Sequence, residues 1–273
     1  MSLRHTAALV AAAAVAVMLV VIPGAVGDST AVPAPPTSPT SADQIQNIDQ
    51  VKTAIRGYYG DTLTSTLDPV TGTTFLHTYS PTGAYANEMA GVEAGAVKYL
   101  DHEAKQHTNT GKGATPAIVL DIDDTTLNTY NFEIYTNFVF NGAINAAFVN
   151  SAAFPPVPGM PQLVARAVAD GYTIFFLTGR PESQRPGTVT NLANAGYPTV
   201  PSDQLFLQDQ AHQAWLSSCA PTCTRTQYKS LTRQHIESLG YDIVANFGDQ
   251  FSDLNGGFAD RTFKLPNPNY FLP

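Results

Sequence analysis

Three short apolar runs in the second half of this chain each stop abruptly at a polar cluster. Residues 117–120 (AIVL) lead into Asp121-Ile122-Asp123-Asp124-Thr125. Residues 172–177 (YTIFFL) lead into Thr178-Gly179-Arg180, and residues 242–247 (DIVANF) into Gly248-Asp249-Gln250-Phe251-Ser252-Asp253. Runs this short, bounded by turn residues and rich in β-branched and aromatic side chains, read as buried strands. Helical stretches lie between them. One opens at Gly159-Met160-Pro161 and closes at Gly171, one covers 187–195 before Gly196, and one covers 228–239 before Gly240. Residues 204–207 and 261–265 supply two further strands. Strands alternating with helices predict an α/β fold, a doubly wound parallel sheet with helices on both faces. Ligands of such sheets bind at the carboxyl ends of the strands, so all three polar clusters fall at one edge.

Charged residues make up 13% of the chain, against ~25% in a typical domain, so several carboxylates at one edge are a real concentration. Packed carboxylates repel one another and lose hydration, so a positive group must hold them ionised. An all-oxygen set suits a hard divalent cation, and Mg²⁺ fits best. A carboxylate beside such an ion can act as a nucleophile, and a second one two residues on can act as general acid and base. The net charge of −8, with no Lys/Arg-rich run, excludes nucleic acid and anionic lipid as main partners.

The string IVLDIDDTTLN resembles the DxDxT nucleophile motif of the haloacid dehalogenase (HAD) superfamily. FLTGR is similar to its second motif and GDQFSDL to its acidic fourth. The helix start Gln227-Tyr228-Lys229-Ser230, between those two, can supply the third-motif Lys. Order and spacing agree over residues 117–254. The fuller string IVLDIDDTTLNTY looks closest to the secreted acid phosphatases, the class C bacterial enzymes and the plant vegetative storage protein relatives. Those usually carry Glu where Asp124 stands here.

The resemblance implies a role for each residue. Asp121 attacks phosphorus and forms an aspartyl-phosphate. Asp123 protonates the leaving alkoxide and then deprotonates the hydrolytic water. Mg²⁺ is held by the Asp121 carboxylate, the Asp123 backbone carbonyl and Asp249, with Asp253 ligating or orienting nearby. Thr178 hydrogen-bonds the phosphoryl oxygens, joined by the backbone around Gly179. Lys229 balances charge, with Arg233, one turn later, as the alternative. Arg180 is read as a structural pair rather than a phosphate clamp.

The rest of the chain is read from pattern. Arg4 and His5 precede an apolar stretch over 7–22, and Ala25-Val26-Gly27 follows, as in a secretory signal peptide ending near Gly27. Cleavage there leaves no stable membrane anchor. Residues 28–42, rich in Pro, Ser and Thr, read as a disordered linker, and the folded domain as 43–273. Its first part, 43–114, is helical. Asp43 caps a helix with Ile45, Ile48, Val51 and Ile55 on one face. Ser80-Pro81 opens a second, with Tyr85, Met89, Val92, Ala96 and Leu100 as its stripe. Residues 58–79 read as loop.

An aromatic-rich insert over 126–160 forms a small cap. Packing against the body is the plainer role for any one ring, and Tyr130, nearest the nucleophile, is the exception expected to meet substrate. Cys219 and Cys223, in a secreted chain, pair as a disulfide beside the Lys229 helix. Thr110-Gly111-Lys112-Gly113 lacks the Ser/Thr of a P-loop, and no His sits in a metal or triad pattern. The expected activity is a secreted, Mg²⁺-dependent acid phosphatase for small phosphomonoesters, nucleotides among them. A phosphotransferase or phosphomutase on the same scaffold, or a storage or binding protein, are the alternatives.

Overall fold

The computed structural model describes residue 41, residues 47–110 and residues 113–272, with the side chains of 107–110 not described. The expected signal peptide over 1–27, Asp43, Ile45 and all of the expected linker except residue 41 lie outside the described residues.

Five parallel strands form the centre: β3 (Thr115–Leu120), β4 (Thr173–Pro181), β5 (Leu205–Gln208), β6 (Tyr241–Gly248) and β7 (Arg261–Lys264), in the order β5-β4-β3-β6-β7. The chain steps outward from β3 to β5, then returns to the other side of β3 for β6. That reversal opens the crevice beyond β3 and β6, as expected for a doubly wound sheet. Side chains alternate across the strands. Ile118, Leu120, Ile174, Phe176, Leu205 and Leu207 enter one core; Ala117, Val119, Phe175, Leu177 and Phe206 enter the other. In β6, Ala117 pairs with Ile243 and Ile118 with Ala245, so Val244 is an extra residue that bulges the strand before it reaches the site.

Helices cover both faces. The first core is closed by α2 (Ala84–Thr110), α5 (Met160–Ala169) and α6 (Arg185–Asn194), through Tyr85, Met89, Leu100, Leu163, Val164 and Leu192. The second is closed by α7 (Arg225–Ser238), through Tyr228 and Ile236. Burying each large apolar side chain stabilises the fold by ~1.5–3 kcal/mol. A capping box starts α7: Thr224 Oγ1 accepts from the Gln227 N–H at 3.2 Å, and Gln227 Oε1 accepts from the Thr224 N–H at 2.9 Å. Cys219 and Cys223 form a disulfide, Cα to Cα 4.8 Å, in the loop leading to that cap.

The N-terminal part departs from the sequence expectation in three ways. The first helix, α1 (Ile48–Tyr59), is capped by Asn47, whose Oδ1 accepts from the Gln50 N–H at 3.0 Å. Only its last turns meet the body, so Ile55 and Tyr59 are buried while Ile48 and Val51 are exposed. Residues 58–79 are not loop throughout. They hold an antiparallel hairpin, β1 (Thr62–Leu67) and β2 (Phe75–Thr78), whose turn is tied by the Asp68 carboxylate to four backbone N–H groups. Its strands are largely exposed, with Leu63 and Phe75 in solvent, so no apolar alternation marks them. Finally, Ser80-Pro81 forms a turn, and α2 begins at Ala84. The α2 stripe itself holds: Tyr85, Met89, Ala96 and Leu100 are buried and Val92 half-buried.

The insert folds into two short helices, α3 (Tyr130–Tyr135) and α4 (Gly142–Asn150), with Phe132, Phe148 and Phe154 buried. A last short helix, α8 (Phe251–Leu254), follows β6. Among the described residues, no helix is long and apolar enough to cross a membrane.

Candidate active site

Beyond β3 and β6 lies a cleft of about 440 Å³. Asp121, Asp123, Gly179, Lys229, Asp249 and Asp253 all line it, so the three polar clusters and the α7 Lys converge. Tight backbone turns make this possible. The Ile122 carbonyl accepts from the N–H groups of Thr125, Thr126 and Leu127, which folds the chain back immediately after Asp121. Asp124 takes a left-handed conformation there, φ 54°, which Asp tolerates better than most residues. Its buried carboxylate accepts from Thr129 Oγ1 at 2.6 Å and the Thr129 N–H at 3.0 Å. Asp124 therefore locks the loop rather than facing the reacting centre. At the end of β6, a side chain on Gly248 would lie 2.4 Å from the Asp253 Cβ, so only glycine lets Asp253 approach so closely.

The buried carboxylates of Asp121, Asp249 and Asp253 offer oxygens within 4.8 Å of one another. Lys229 is buried against them. Its Nζ donates to Asp121 and sits 3.0 Å from Asp253 Oδ1, while Asp253 Oδ2 accepts from the Gln250 N–H at 3.0 Å. Burial pushes the Asp121 carboxyl up to about 7, and Asp253 adds to that push while Lys229 opposes it. Burial and then Asp253 and Asp121 raise Asp249. Burial alone would lower Lys229, yet the two facing carboxylates outweigh it and raise the ammonium above its ordinary value. One ammonium among three buried carboxylates leaves excess negative charge. The donors are all hard oxygens, so the cluster could hold a divalent metal ion. Asp123 stands outside it, facing Arg180.

Arg180 is the main residue that sequence reasoning set aside. Its Nη2 lies 2.6 Å from Asp123 Oδ1 and its Nε 3.0 Å from Asp123 Oδ2, a forked pairing of both oxygens. Thr188 Oγ1 accepts from its Nη1 at 3.0 Å, and the guanidinium lies over the Phe154 ring, 5.4 Å from the centroid. The reading of Arg180 as a paired Arg is right in kind; the pair, however, is the candidate acid–base residue. Arg233 is excluded as the third-motif cation by its position. Its guanidinium donates to the backbone carbonyls of Gly257, Asp253 and Asn255, tying α7 to the loop that carries Asp253.

Two other expected residues are buried. Thr178 is buried within β4, its Oγ1 accepting from the Arg180 N–H at 3.1 Å, and it is not among the residues lining the cleft. Tyr130 is fully buried and stacks on Tyr59, centroids 4.2 Å apart. This corrects its assignment to substrate: nearness to Asp121 in sequence placed it, whereas α3 turns its ring toward α1. Phe132, Phe138 and Phe140 line the cleft instead.

The C-terminal segment supplies residues that no motif flagged. Asn267 Nδ2 donates to Asp249 Oδ2 at 2.7 Å, and Gln250 Nε2 to the same oxygen at 2.6 Å. Tyr270 also lines the cleft. The run LPNPNY, too Pro-rich for a strand or helix, was the available signal.

Comparison with known proteins agrees with this geometry. The family model of HAD superfamily subfamily IIIB (acid phosphatase) matches residues 65–273. The chain is 35% identical over 159 residues to the stem 28 kDa glycoprotein of Glycine max, covering 56% of this chain and 59% of that one. It is 32% identical over 174 residues to acid phosphatase 1 of Solanum lycopersicum, covering 62% and 64%. It thus spans less than two thirds of the length of these relatives. The class C acid phosphatase of Bacillus anthracis has a similar fold, TM-score 0.53 at 22% identity, over 68% of this chain and 80% of that one. The five-stranded parallel core, the carboxylate cluster with its buried Lys, and a family match over most of the chain lead to one conclusion: this chain belongs to HAD superfamily subfamily IIIB, the acid phosphatase family.

Proposed function

We propose that the protein is a secreted acid phosphatase that hydrolyses small phosphomonoesters through an aspartyl-phosphate. One observation carries this reading: Asp121 clusters with Asp249 and Asp253, Lys229 contacts both Asp121 and Asp253, and Asp123 faces the same cleft from the Arg180 fork. An Asp121 oxygen bonds to phosphorus as the ester bond breaks, and Asp123 gives its proton to the departing alkoxide. Asp123 then takes a proton from water, whose oxygen bonds to phosphorus and releases phosphate, restoring Asp121. Lys229 balances charge on the nucleophile. Backbone N–H groups about Gly179 face the phosphoryl oxygens, with Thr178 bracing that turn.

Asp121, Asp249 and Asp253, with the Asp123 backbone carbonyl, would hold Mg²⁺, whose three buried carboxylate partners match its preference for oxygen. Bound there, it would offset the carboxylate charge and that of the phosphoryl group. The disulfide supports an oxidising compartment, and the apolar stretch over 7–22 supports secretion. The complete set of carboxylates with Lys229 favours catalysis over a storage role.

The test is turnover of p-nitrophenyl phosphate and a panel of phosphomonoesters, with EDTA and then with added Mg²⁺. Activity should vanish in EDTA and return with Mg²⁺. Full activity in chelator would remove the metal from the reading, and no turnover of any ester would remove the reading itself.

A further inference from the structure

The insert side of the cleft carries two acceptors that nothing in the fold engages. Glu133, on α3, is 6% exposed and lines the cleft together with Asp121 and Asp123. Among the described residues, no group donates a hydrogen bond to its carboxyl. Buried Glu is ordinarily paired, so an unpaired one calls for a reason. Burial raises it, and Asp124 and Asp123 raise it further, to about 8. Gln184 closes the short 3-10 turn Glu182–Gln184 and lines the same cleft. Its Oε1 is buried without a hydrogen-bond partner. The helix α4 packs against both α3 and that turn, so the two acceptors belong to one wall.

The cations of the cleft are placed on the phosphate side: Arg225 lies at Gly179, where an added Cβ would stand 2.8 Å from its Nη1. Lys229 is engaged by Asp121 and Asp253, and Arg180 by Asp123 and Thr188. The same cleft is lined by the rings of Phe132, Phe138 and Phe140, and aromatic faces attract cations. Two unmet acceptors, one of them a carboxyl, set among aromatic rings in an acidic cleft, fit a leaving group that brings donors and positive charge.

We propose that Glu133 and Gln184 form a leaving-group subsite for a protonated amine, so that phosphomonoesters of amino alcohols are preferred substrates. This rests on the phosphatase reading above and adds the substrate class to it. With an ammonium opposite, Glu133 ionises and pairs. With a neutral alkyl group both acceptors stay unmet, and with a carboxylated leaving group Glu133 repels.

The experiment compares kcat/KM for phosphoethanolamine, propyl phosphate, glycerol 1-phosphate and phosphoglycolate, with p-nitrophenyl phosphate as reference, on the Mg²⁺-supplied enzyme. A charged hydrogen bond should favour phosphoethanolamine over propyl phosphate by about tenfold or more, with phosphoglycolate lowest. Glu133→Gln should lower the amine-to-propyl ratio by about tenfold and Gln184→Met by about threefold. The ester comparison on the wild-type enzyme stands whether or not a variant folds, and Gln184→Met reports independently of Glu133→Gln. Equal kcat/KM for the amine and propyl esters, a higher value for glycerol 1-phosphate than for the amine, or a ratio that neither variant moves would overturn the subsite. Turnover of p-nitrophenyl phosphate without amine preference overturns the subsite alone; no turnover of any ester brings down the phosphatase reading as well.

Discussion

The two walls of the cleft are built on different terms. On the sheet side the groups around the nucleophile meet partners. Lys229 touches Asp121 and Asp253, Arg180 forks onto Asp123, and Asn267 and Gln250 both donate to Asp249. On the insert side, Glu133 and the Gln184 oxygen have none, and Phe140 is 75% exposed. Groups engaged by several neighbours are pre-positioned, which is what charge stabilisation at a reacting phosphorus requires. Groups left open await a ligand. The sheet wall is thus suited to a fixed chemistry and the insert wall to choosing what is attached to the phosphate.

The comparison breaks most visibly at the nucleophile. Asp121→Asn keeps the shape of the sheet wall and removes its reactive oxygen. Phosphatase activity should fall by ~10⁴-fold or more. Because burial and Asp253 already disfavour the charge on Asp121, the variant's Tm in metal-free buffer should not drop below that of the wild type. Retained turnover would end the nucleophile assignment.

A smaller effect is expected at Arg180. Lys keeps the charge but cannot fork onto both Asp123 oxygens or lie flat over Phe154. Arg180→Lys should reduce kcat by roughly 10–100-fold, with a lesser change in KM, since Asp123 would lose its orientation rather than the substrate its site. A variant with native kcat would make the Arg180 fork a packing feature only.

The smallest effect sharpens the contrast between the walls. Glu133 holds its proton more tightly folded than unfolded, since burial and two nearby carboxylates raise it to about 8 from 4.5. Its stabilising contribution is therefore complete below the unfolded value and is lost as pH rises through the folded one. The Tm of the metal-free protein should decline between pH 5 and 8, and in Glu133→Gln that decline should be shallower. Parallel pH–Tm curves for the two proteins would show that Glu133 is paired or solvated.

Much of the sheet wall was legible before folding. Asp121, Asp249 and Asp253 lie in the polar clusters that end apolar runs, and a parallel sheet puts the ends of its strands on one edge. Lys229 was legible with less certainty, because a helix start fixes a helix but not which face turns inward. Arg233 and Lys229 were both possible until α7 docked through Tyr228 and Ile236, aiming Lys229 at Asp121 and Arg233 at the carbonyls around Asp253. The β1–β2 hairpin escaped notice because its faces are mostly wet. The partners of Arg180 escaped because Asp123, Thr188 and Phe154 come from three separate segments. Tyr130 was misplaced because closeness along the chain says nothing about which way a short helix turns a ring.

By itself, then, the sequence determined what repeats or is local: strand and helix periods, the turn after β3, the capping box of Thr224 and Gln227, and the concentration of carboxylates at one edge. Tertiary structure alone decided which side chains those carboxylates meet. The Arg180 fork, the Asn267 contact from the C-terminal segment and the unmet acceptors at Glu133 and Gln184 all depend on packing between residues far apart in the chain. Backbone periodicity is set by neighbours a few residues away. Burial and charge pairing are set by whatever the finished fold brings within a few ångströms.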